Sequence, residues 1–152
     1  MSLVRQLIPV FLLFCMTVHA DAVAESCHAT SQKDIAALFE RWNQSLQSGD
    51  PAKVVANYAP GSVLLPTLSN RPRVSVKEKA DYFEHFMTGK PVGSIDRRVI
   101  HLDCNNAIDT GLYTFRFADG SIVKARYTFT YRWSDDRWLI TSHHSSMMPE
   151  RN

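Results

Sequence analysis

Apolar residues first recur at helical spacing in a segment that begins just after Ser31. The stretch Ser31–Asp34 has the form of a capping box, which predicts the start of a helix. Gly49 can end this helix in the left-handed conformation. The apolar positions between these signals are three or four residues apart and predict one buried stripe, which comprises Ile35, Leu38, Phe39, Trp42 and Leu46.

Two further helices are predicted by their start signals. Asp50 followed by Pro51 supplies an N-cap and a proline at the first helical position. The short helix that follows would bury Val54, Val55 and Tyr58. The stretch Ser75–Glu78 is a complete capping box and opens a third helix. The apolar side of that third helix comprises Tyr82, Phe83, Phe86 and Met87.

From residue 94 onward the apolar period changes to two. Four alternating segments predict strands over 94–103, 107–118, 121–134 and 137–146. Asp119-Gly120 and Asp135-Asp136 are the predicted turns between the last three strands. Helices followed by an antiparallel meander predict an α+β fold, in which the helices cover one face of a curved sheet and enclose a cavity.

The N-terminal residues predict a secretory signal peptide. Arg5 precedes a short apolar run, and small residues follow at candidate cleavage sites that end in Ala20, Ala22 or Ala24. We therefore assign 1–20 to a signal peptide, 21–30 to a flexible leader and 31–149 to a single domain. The expected location is the periplasm or the exterior, without membrane attachment after cleavage. An uncleaved N-terminal anchor is the alternative.

Charge and cysteine content narrow the classes of partner. The chain has 17 Lys and Arg against 15 Asp and Glu, so removal of Arg5 leaves 16 against 15. No basic patch emerges, and we expect no nucleic-acid partner. An exported chain keeps Cys27 and Cys104, for which a disulfide is permitted but not required. No Cys and His cluster has metal-ligand spacing and no glycine-rich strand-turn-helix is present, so no metal and no cofactor are expected.

Strand parity predicts a pocket if both hairpins have two-residue loops. Position 118 then lies opposite 121, and 134 lies opposite 137, with side chains alternating between the two faces. The more apolar face, predicted to face the core, contains polar exceptions at Arg116, Tyr127, Ser142, His144 and Ser146. A guanidinium beside a phenol and an imidazole would bind a carboxylate. The alternative is that Arg116 pairs with an acidic helix residue at a sheet rim and that His144 is structural.

The opposite face combines large apolar and polar side chains. It would carry Tyr113, Phe115, Phe117 and Leu139, which alternate with Lys124, Arg126, Thr128 and Thr130. An apolar centre with a polar rim is typical of a subunit interface, so we expect a homodimer that forms through this outer face. Scattered exposed apolar residues on a monomer are the alternative.

Several of these features together resemble a known family. They are Trp42 and Gly49-Asp50 in and after the first helix, Arg116, the run from Asp135 to Trp138, and the ending His143–Ser146. Over residues 31–149 the chain resembles the association domain of calcium/calmodulin-dependent protein kinase II, and more closely its bacterial secreted stand-alone forms. These belong to the nuclear transport factor 2-like (NTF2-like), or SnoaL-like, superfamily, with a cone-shaped, cystatin-like α+β fold.

The resemblance implies a pocket between the first helix and the curved sheet, and assembly through the outer face of the sheet. The pocket of the kinase domain is lined by several arginines, one of which Arg116 matches. His144 and Phe129 stand where two others are expected. With Trp42 and Tyr58 from the helical side, the predicted ligand-binding set is Arg116, Tyr127, His144, Ser146, Trp42 and Tyr58.

Three functions are compatible with these features. The first is an exported homodimer that binds a small molecule, with an organic anion such as a carboxylate as the expected ligand. The second is a SnoaL-like isomerase, cyclase or hydrolase, in which His144 acts as general base and Arg116 or Tyr127 stabilises an oxyanion. The third is a structural self-association module with a vestigial pocket.

Overall fold

The computed structural model of the protein describes residues 26–149. The predicted signal peptide, 1–20, lies outside the described residues, as does the leader as far as 25. No helix within 26–149 combines the length and the apolar character needed to cross a membrane. In chain order the elements are α1 (Gln32–Gln47), α2 (Pro51–Val55), β1 (Tyr58–Leu65), α3 (Val76–Met87), β2 (Val92–Leu102), β3 (Asn106–Arg116), β4 (Ile122–Ser134) and β5 (Arg137–Met147).

The five strands form one curved, unclosed sheet in the order β1-β5-β4-β3-β2. Strands β2 to β5 are an antiparallel meander, which confirms the predicted α+β class. Strand β1 pairs in parallel with β5, a contact that the sequence did not predict. Tyr58 therefore begins a strand rather than extending α2, because that helix ends with Ala56 as its C-cap.

The helices begin where their capping residues predict. In α1 the Ser31 side chain accepts a hydrogen bond from Asp34 N, and the Asp34 carboxylate accepts one from Ser31 N. The predicted stripe is buried, with Phe39 and Trp42 packed against aromatic residues of the sheet. The helical face of the sheet, here called the inner face, therefore forms the core, and the other is the outer face.

The hairpin between β3 and β4 has a different register from the predicted one. Phe117 N donates to Ser121 O at 3.0 Å, so the loop contains three residues, and Gly120 adopts the left-handed conformation with φ of 84°. Arg116 consequently lies opposite Ile122. The predicted pairing of 118 with 121 is wrong by one residue, and this slip moves every side chain of β3 to the other face.

The hairpin between β4 and β5 has the predicted two-residue turn, because Ser134 lies opposite Arg137 and both turn residues have positive φ. A β-bulge follows further along the pair. Tyr131 lies opposite Ile140, yet the preceding Thr130 lies opposite Ser142, so β5 carries one extra residue. Beyond this point the alternation of β5 is reversed. Side chains 143 and 145, rather than 144 and 146, therefore face the helices.

A disulfide between Cys27 and Cys104 holds the chain that precedes α1 against the turn between β2 and β3, with the two Cα atoms 4.6 Å apart. Asn105 reinforces the attachment, since it accepts a hydrogen bond from His28 N and donates one to Ser26 O. The His28 ring also stacks on Trp133. We call this arrangement the N-terminal clip.

Replacing Cys27 with Ser should lower the free energy of unfolding by about 2–4 kcal/mol, because the bridge closes a loop with a sequence separation of 77 and limits the unfolded ensemble. Urea denaturation measures the change. Reduction of the wild type and the Cys104→Ser variant are the controls, and both should give a loss of the same size. An unchanged unfolding midpoint in all three would contradict a stabilising clip.

Candidate functional site

A cavity of about 580 Å³ lies between α3, the segment 66–73 and the inner face of β3 to β5. Most of its wall is apolar or aromatic, which is typical of a small-molecule pocket. The main wall residues are Trp42, Leu64, Tyr82, Phe83, Phe86, Tyr113, Phe115, Phe117, Val123, Ala125 and Met147.

His143 is the first polar group in this wall, and it is 3% exposed. Trp42 Nε1 donates to Tyr58 Oη at 3.2 Å, and Tyr58 Oη lies 2.9 Å from His143 Nδ1. Because the phenol accepts from the indole, its own proton is free to be donated to Nδ1. The neutral imidazole then carries its proton on Nε2, which is buried and has no hydrogen-bond partner within 26–149.

Burial keeps the hydrogen-bonded side chains of Tyr58 and His143 uncharged. It lowers the pKa of His143 to about 3, with a smaller contribution from His144. Burial also raises the pKa of Tyr58 well above its ordinary value. At neutral pH the ring therefore offers an N–H donor and is a poor general base.

Ser145 forms a second polar group beside the first. Tyr113 donates its O–H to Ser145 Oγ at 2.5 Å, and Thr67 shares a further hydrogen bond with the same oxygen. Burial raises the pKa of Tyr113, so this phenol stays protonated. The polar wall formed by His143 and Ser145 therefore has hydrogen-bonding groups but no formal charge.

Arg73 is the only Lys, Arg, Asp or Glu among the described residues that line the cavity. Its guanidinium donates to Arg71 O at 2.8 Å and to Ser69 Oγ at 3.1 Å, and lies 6.0 Å from the centre of the Tyr82 ring. No carboxylate within the described chain forms an ion pair with it. The cavity thus combines an uncharged polar wall with one unneutralised positive charge.

The predicted strand parity is wrong for three members of the expected ligand set. Arg116 and His144 are exposed and Ser146 is half-buried, and all three lie on the outer face. The three-residue loop after β3 moved Arg116, and the bulge in β5 moved His144 and Ser146. The predicted site required Arg116 and His144 to lie side by side on the inner face. This arrangement is therefore absent, because both residues lie on the outer face.

Tyr127 faces inward as predicted, but its O–H is already engaged. It donates to Asp109 Oδ1 at 2.8 Å, and Arg98 Nε lies 3.1 Å from the same carboxylate. Burial raises the pKa of Asp109, against the opposing effects of Tyr127 and of the Arg98 charge. Because Asp109 is 0% exposed, this group is a buried ion pair, and the phenol is not free to stabilise an oxyanion as we expected.

Trp42 and Tyr58 are close to the cavity, as expected. Trp42 lines it, whereas Tyr58 acts through its hydrogen bond to His143. Four further residues of the cavity wall were not predicted from the sequence, namely His143, Ser145, Tyr113 and Arg73. One signal was available, because the face predicted to form a subunit interface carried several large aromatic residues together with His143.

Within residues 26–149, no group of three or more His, Cys, Asp or Glu is placed to bind a metal ion.

Residues 31–149 match the family described as calcium/calmodulin dependent protein kinase II association domain. No curated protein matches the chain.

Three solved structures illustrate the likeness. One from Xanthomonas campestris, described provisionally as a calcium/calmodulin dependent protein kinase II association domain, is 46% identical, has a TM-score of 0.77 and matches over 84% of this chain and 97% of its own. An NTF2-like protein of unknown function from Pseudomonas putida is 22% identical, with a TM-score of 0.67 over 76% of this chain and 84% of its own. A protein of unknown function with a cystatin-like fold from Nostoc punctiforme is 15% identical, with a TM-score of 0.69 over 82% and 96%. The last two show the fold alone.

The low pKa of His143 predicts a defined loss of stability in acid. The unfolded state binds a proton with a pKa near 6.5, whereas the folded state resists protonation until pH is about 3. Stability is therefore complete above the unfolded pKa and falls, by at most about 1.4 kcal/mol per pH unit, as pH decreases toward 3.

Urea denaturation across this pH range, with the His143→Gln and His144→Gln variants, isolates the contribution. His143→Gln should flatten the pH dependence relative to the wild type, and His144→Gln should leave it nearly unchanged. Parallel curves for the wild type and His143→Gln would show that the inward histidine does not titrate as inferred.

Proposed function

This chain belongs to the calcium/calmodulin dependent protein kinase II association domain family, and on that premise we propose that it binds a small organic molecule inside the cavity. The observation that carries the proposal is the Nε2–H of His143, a buried donor that has no partner among residues 26–149 and belongs to a residue that lines a largely apolar cavity. A buried donor without a partner costs about 1–3 kcal/mol, and a ligand acceptor would recover this cost.

The charges of the wall favour an amphipathic organic acid. A carboxylate beside His143 and Ser145 would be buried without a counter-ion, which is costly. A carboxylate beside Arg73 would meet a guanidinium that has no ion-pair partner within the described chain. The ligand would therefore place its apolar body among the aromatic rings, an uncharged acceptor against the polar wall and its acidic group near Arg73.

Binding is favoured over catalysis by the position of the histidines. The proposed enzyme mechanism needed His144 as a base in the pocket, but this residue lies on the outer face. His143 lines the cavity but stays neutral, with Nδ1 already occupied. His143 is thus suited to hold and orient a ligand rather than to remove a proton from it at neutral pH.

The proposal extends to location and assembly. Export would deliver the chain to an oxidising compartment, the setting in which a bridge such as Cys27–Cys104 persists. Self-association is the property for which the family is named, and the outer face offers apolar contacts for it: Val92, Ile108 and Ile122 are 47%, 41% and 52% exposed. We propose a homo-oligomer, with a dimer as its smallest unit, that forms through this face.

A panel of aryl and alicyclic carboxylic acids, each paired with its primary amide, tests the cavity by thermal shift and then by calorimetry. At least one acid should raise the melting temperature, and Arg73→Ala should weaken its binding by tenfold or more, about 1.4 kcal/mol. The matching amide should lose little affinity in the same variant.

Two matched pairs of variants control this experiment. Arg71→Ala changes a neighbouring exposed arginine outside the cavity wall and should preserve binding. Ser145→Val should weaken binding, whereas Ser146→Val on the opposite face should not. If no acid or amide binds the folded protein, the cavity is vestigial and the structural-module alternative is preferred.

Self-association is tested by light scattering coupled to size-exclusion chromatography. Ile122→Glu should shift the protein toward monomer, because it introduces a charge into the apolar part of the outer face. Val76→Glu, at a position 69% exposed on α3, is the control and should leave the mass unchanged. A wild-type protein that is monomeric at micromolar concentration would refute the proposal.

A further inference from the structure

Two rows of side chains cross the middle of the outer face. Their order follows from the strand register, because residues paired across neighbouring strands lie side by side on the same face. The first row runs Arg97, Leu112, Arg126 and Ser146. The second row runs Val99, Thr110, Thr128 and His144. Together these eight residues line a concavity of about 530 Å³, here called the outer basin.

The outer basin concentrates positive charge that the described residues do not neutralise. None of the described residues that line it is Asp or Glu, and neither Arg97 nor Arg126 forms an ion pair or a side-chain hydrogen bond with the described chain. His144 adds an imidazole to the same wall. Like charges gathered on one sheet face are unfavourable unless a counter-ion is present.

The bulge in β2 places one carboxylate, that of Asp96, next to Arg97 in the chain, but this group forms no ion pair with a described residue. The register shifts between Ile95 and Arg97, which leaves Asp96 as the extra residue, and its carboxylate accepts a hydrogen bond from Thr114 at 2.6 Å. Arg98 points to the inner face and pairs there with Asp109. Two consecutive arginines are thus divided, one paired inside the fold and one without a partner outside it.

Hydroxyl groups complete the lining of the basin. Thr110 Oγ1 and Thr128 Oγ1 are 2.9 Å apart, and Ser146 Oγ makes no hydrogen bond to the described chain. Arg97 and Arg126 stand two strands apart, a backbone separation of about 10 Å. One small ion would not satisfy both guanidinium groups in extended conformations, whereas a molecule with two oxyanion groups would.

We propose that the outer basin is a binding site for a small polyanion that carries at least two oxyanion groups, such as a di- or tricarboxylate. Arg97 and Arg126 each bind one of these groups, and His144 and Ser146 donate further hydrogen bonds. The site is distinct from the inner cavity, because the sheet separates the two and they share no lining residue. It also lies between the exposed apolar residues Ile108 and Ile122, so a polyanion bound there would lie within the proposed subunit interface.

Citrate is the probe, measured by calorimetry and by two-dimensional NMR at low ionic strength, where screening of surface charge is weakest. Citrate should bind saturably and shift the amide signals of the two rows. Arg97→Ala and Arg126→Ala should each weaken binding at least fivefold. Arg132→Ala removes the same charge from the same face of β4 outside the basin, and its effect should stay within twofold.

Two further measurements distinguish binding in the outer basin from binding elsewhere on the protein. Arg73→Ala should leave citrate binding intact, since that arginine belongs to the inner cavity. Inorganic phosphate, with one oxyanion centre, should bind more weakly than citrate. The proposal is overturned if citrate does not saturate, if Arg132→Ala weakens binding as much as Arg126→Ala, or if the shifted signals lie around the inner cavity. Equal affinity for phosphate and citrate would exclude the requirement for two oxyanion groups.

Discussion

The alternation of side chains along β5 is the constraint on which both faces of this protein depend. One extra residue at the bulge between Ile140 and Ser142 reverses that alternation over the rest of the strand. Before the bulge β5 contributes apolar side chains to the core. Beyond it the strand contributes His143 and Ser145 to the inner cavity, and His144 and Ser146 to the outer basin. Without the extra residue, these two adjacent pairs would exchange faces.

The sequence predicted the helices and the order of the meander well, because both have strong local signals. Ser31 and Ser75 form the predicted capping boxes, and the Asp135-Asp136 turn has the predicted length. The face of the sheet on which each side chain lies was harder to predict, since one extra residue in a loop or a bulge exchanges the two faces of a strand. Asp119-Gly120 suits a three-residue loop as well as a two-residue one, and the bulge in β5 has no glycine to reveal it.

The aromatic residues of β3 could have corrected that error. Tyr113 and Phe115 were predicted to lie on the outer face in a subunit interface, and burying them within the chain also removes their large surfaces from water. Burial is a global property, however, whereas the register was derived from turn residues alone. The candidate site was consequently placed on the right strands and on the wrong faces, and Tyr127, Trp42 and Tyr58 were the members placed correctly on the inner side.

The two faces of the sheet differ in whether their charged side chains are neutralised by neighbouring residues of the described chain. Inside, the buried Asp109 is neutralised by Arg98 and accepts a hydrogen bond from Tyr127, and the polar wall formed by His143 and Ser145 carries no formal charge. Outside, the outer basin concentrates positive charge. The same curved sheet can therefore present an apolar, hydrogen-bonding environment on one side and an electrostatic one on the other.

The bulge at Asp96 has a consequence for how copies of this chain can meet. Strand β2 is the last strand of the sheet on its side, and a regular terminal strand is a template on which a foreign strand can add by backbone hydrogen bonds. Here the hydrogen-bonding ladder is interrupted near the middle of β2, and charged residues occupy the interruption. This discourages the addition of a strand from another copy of the chain at the β2 edge, and with it the growth of a continuous intermolecular sheet from that edge.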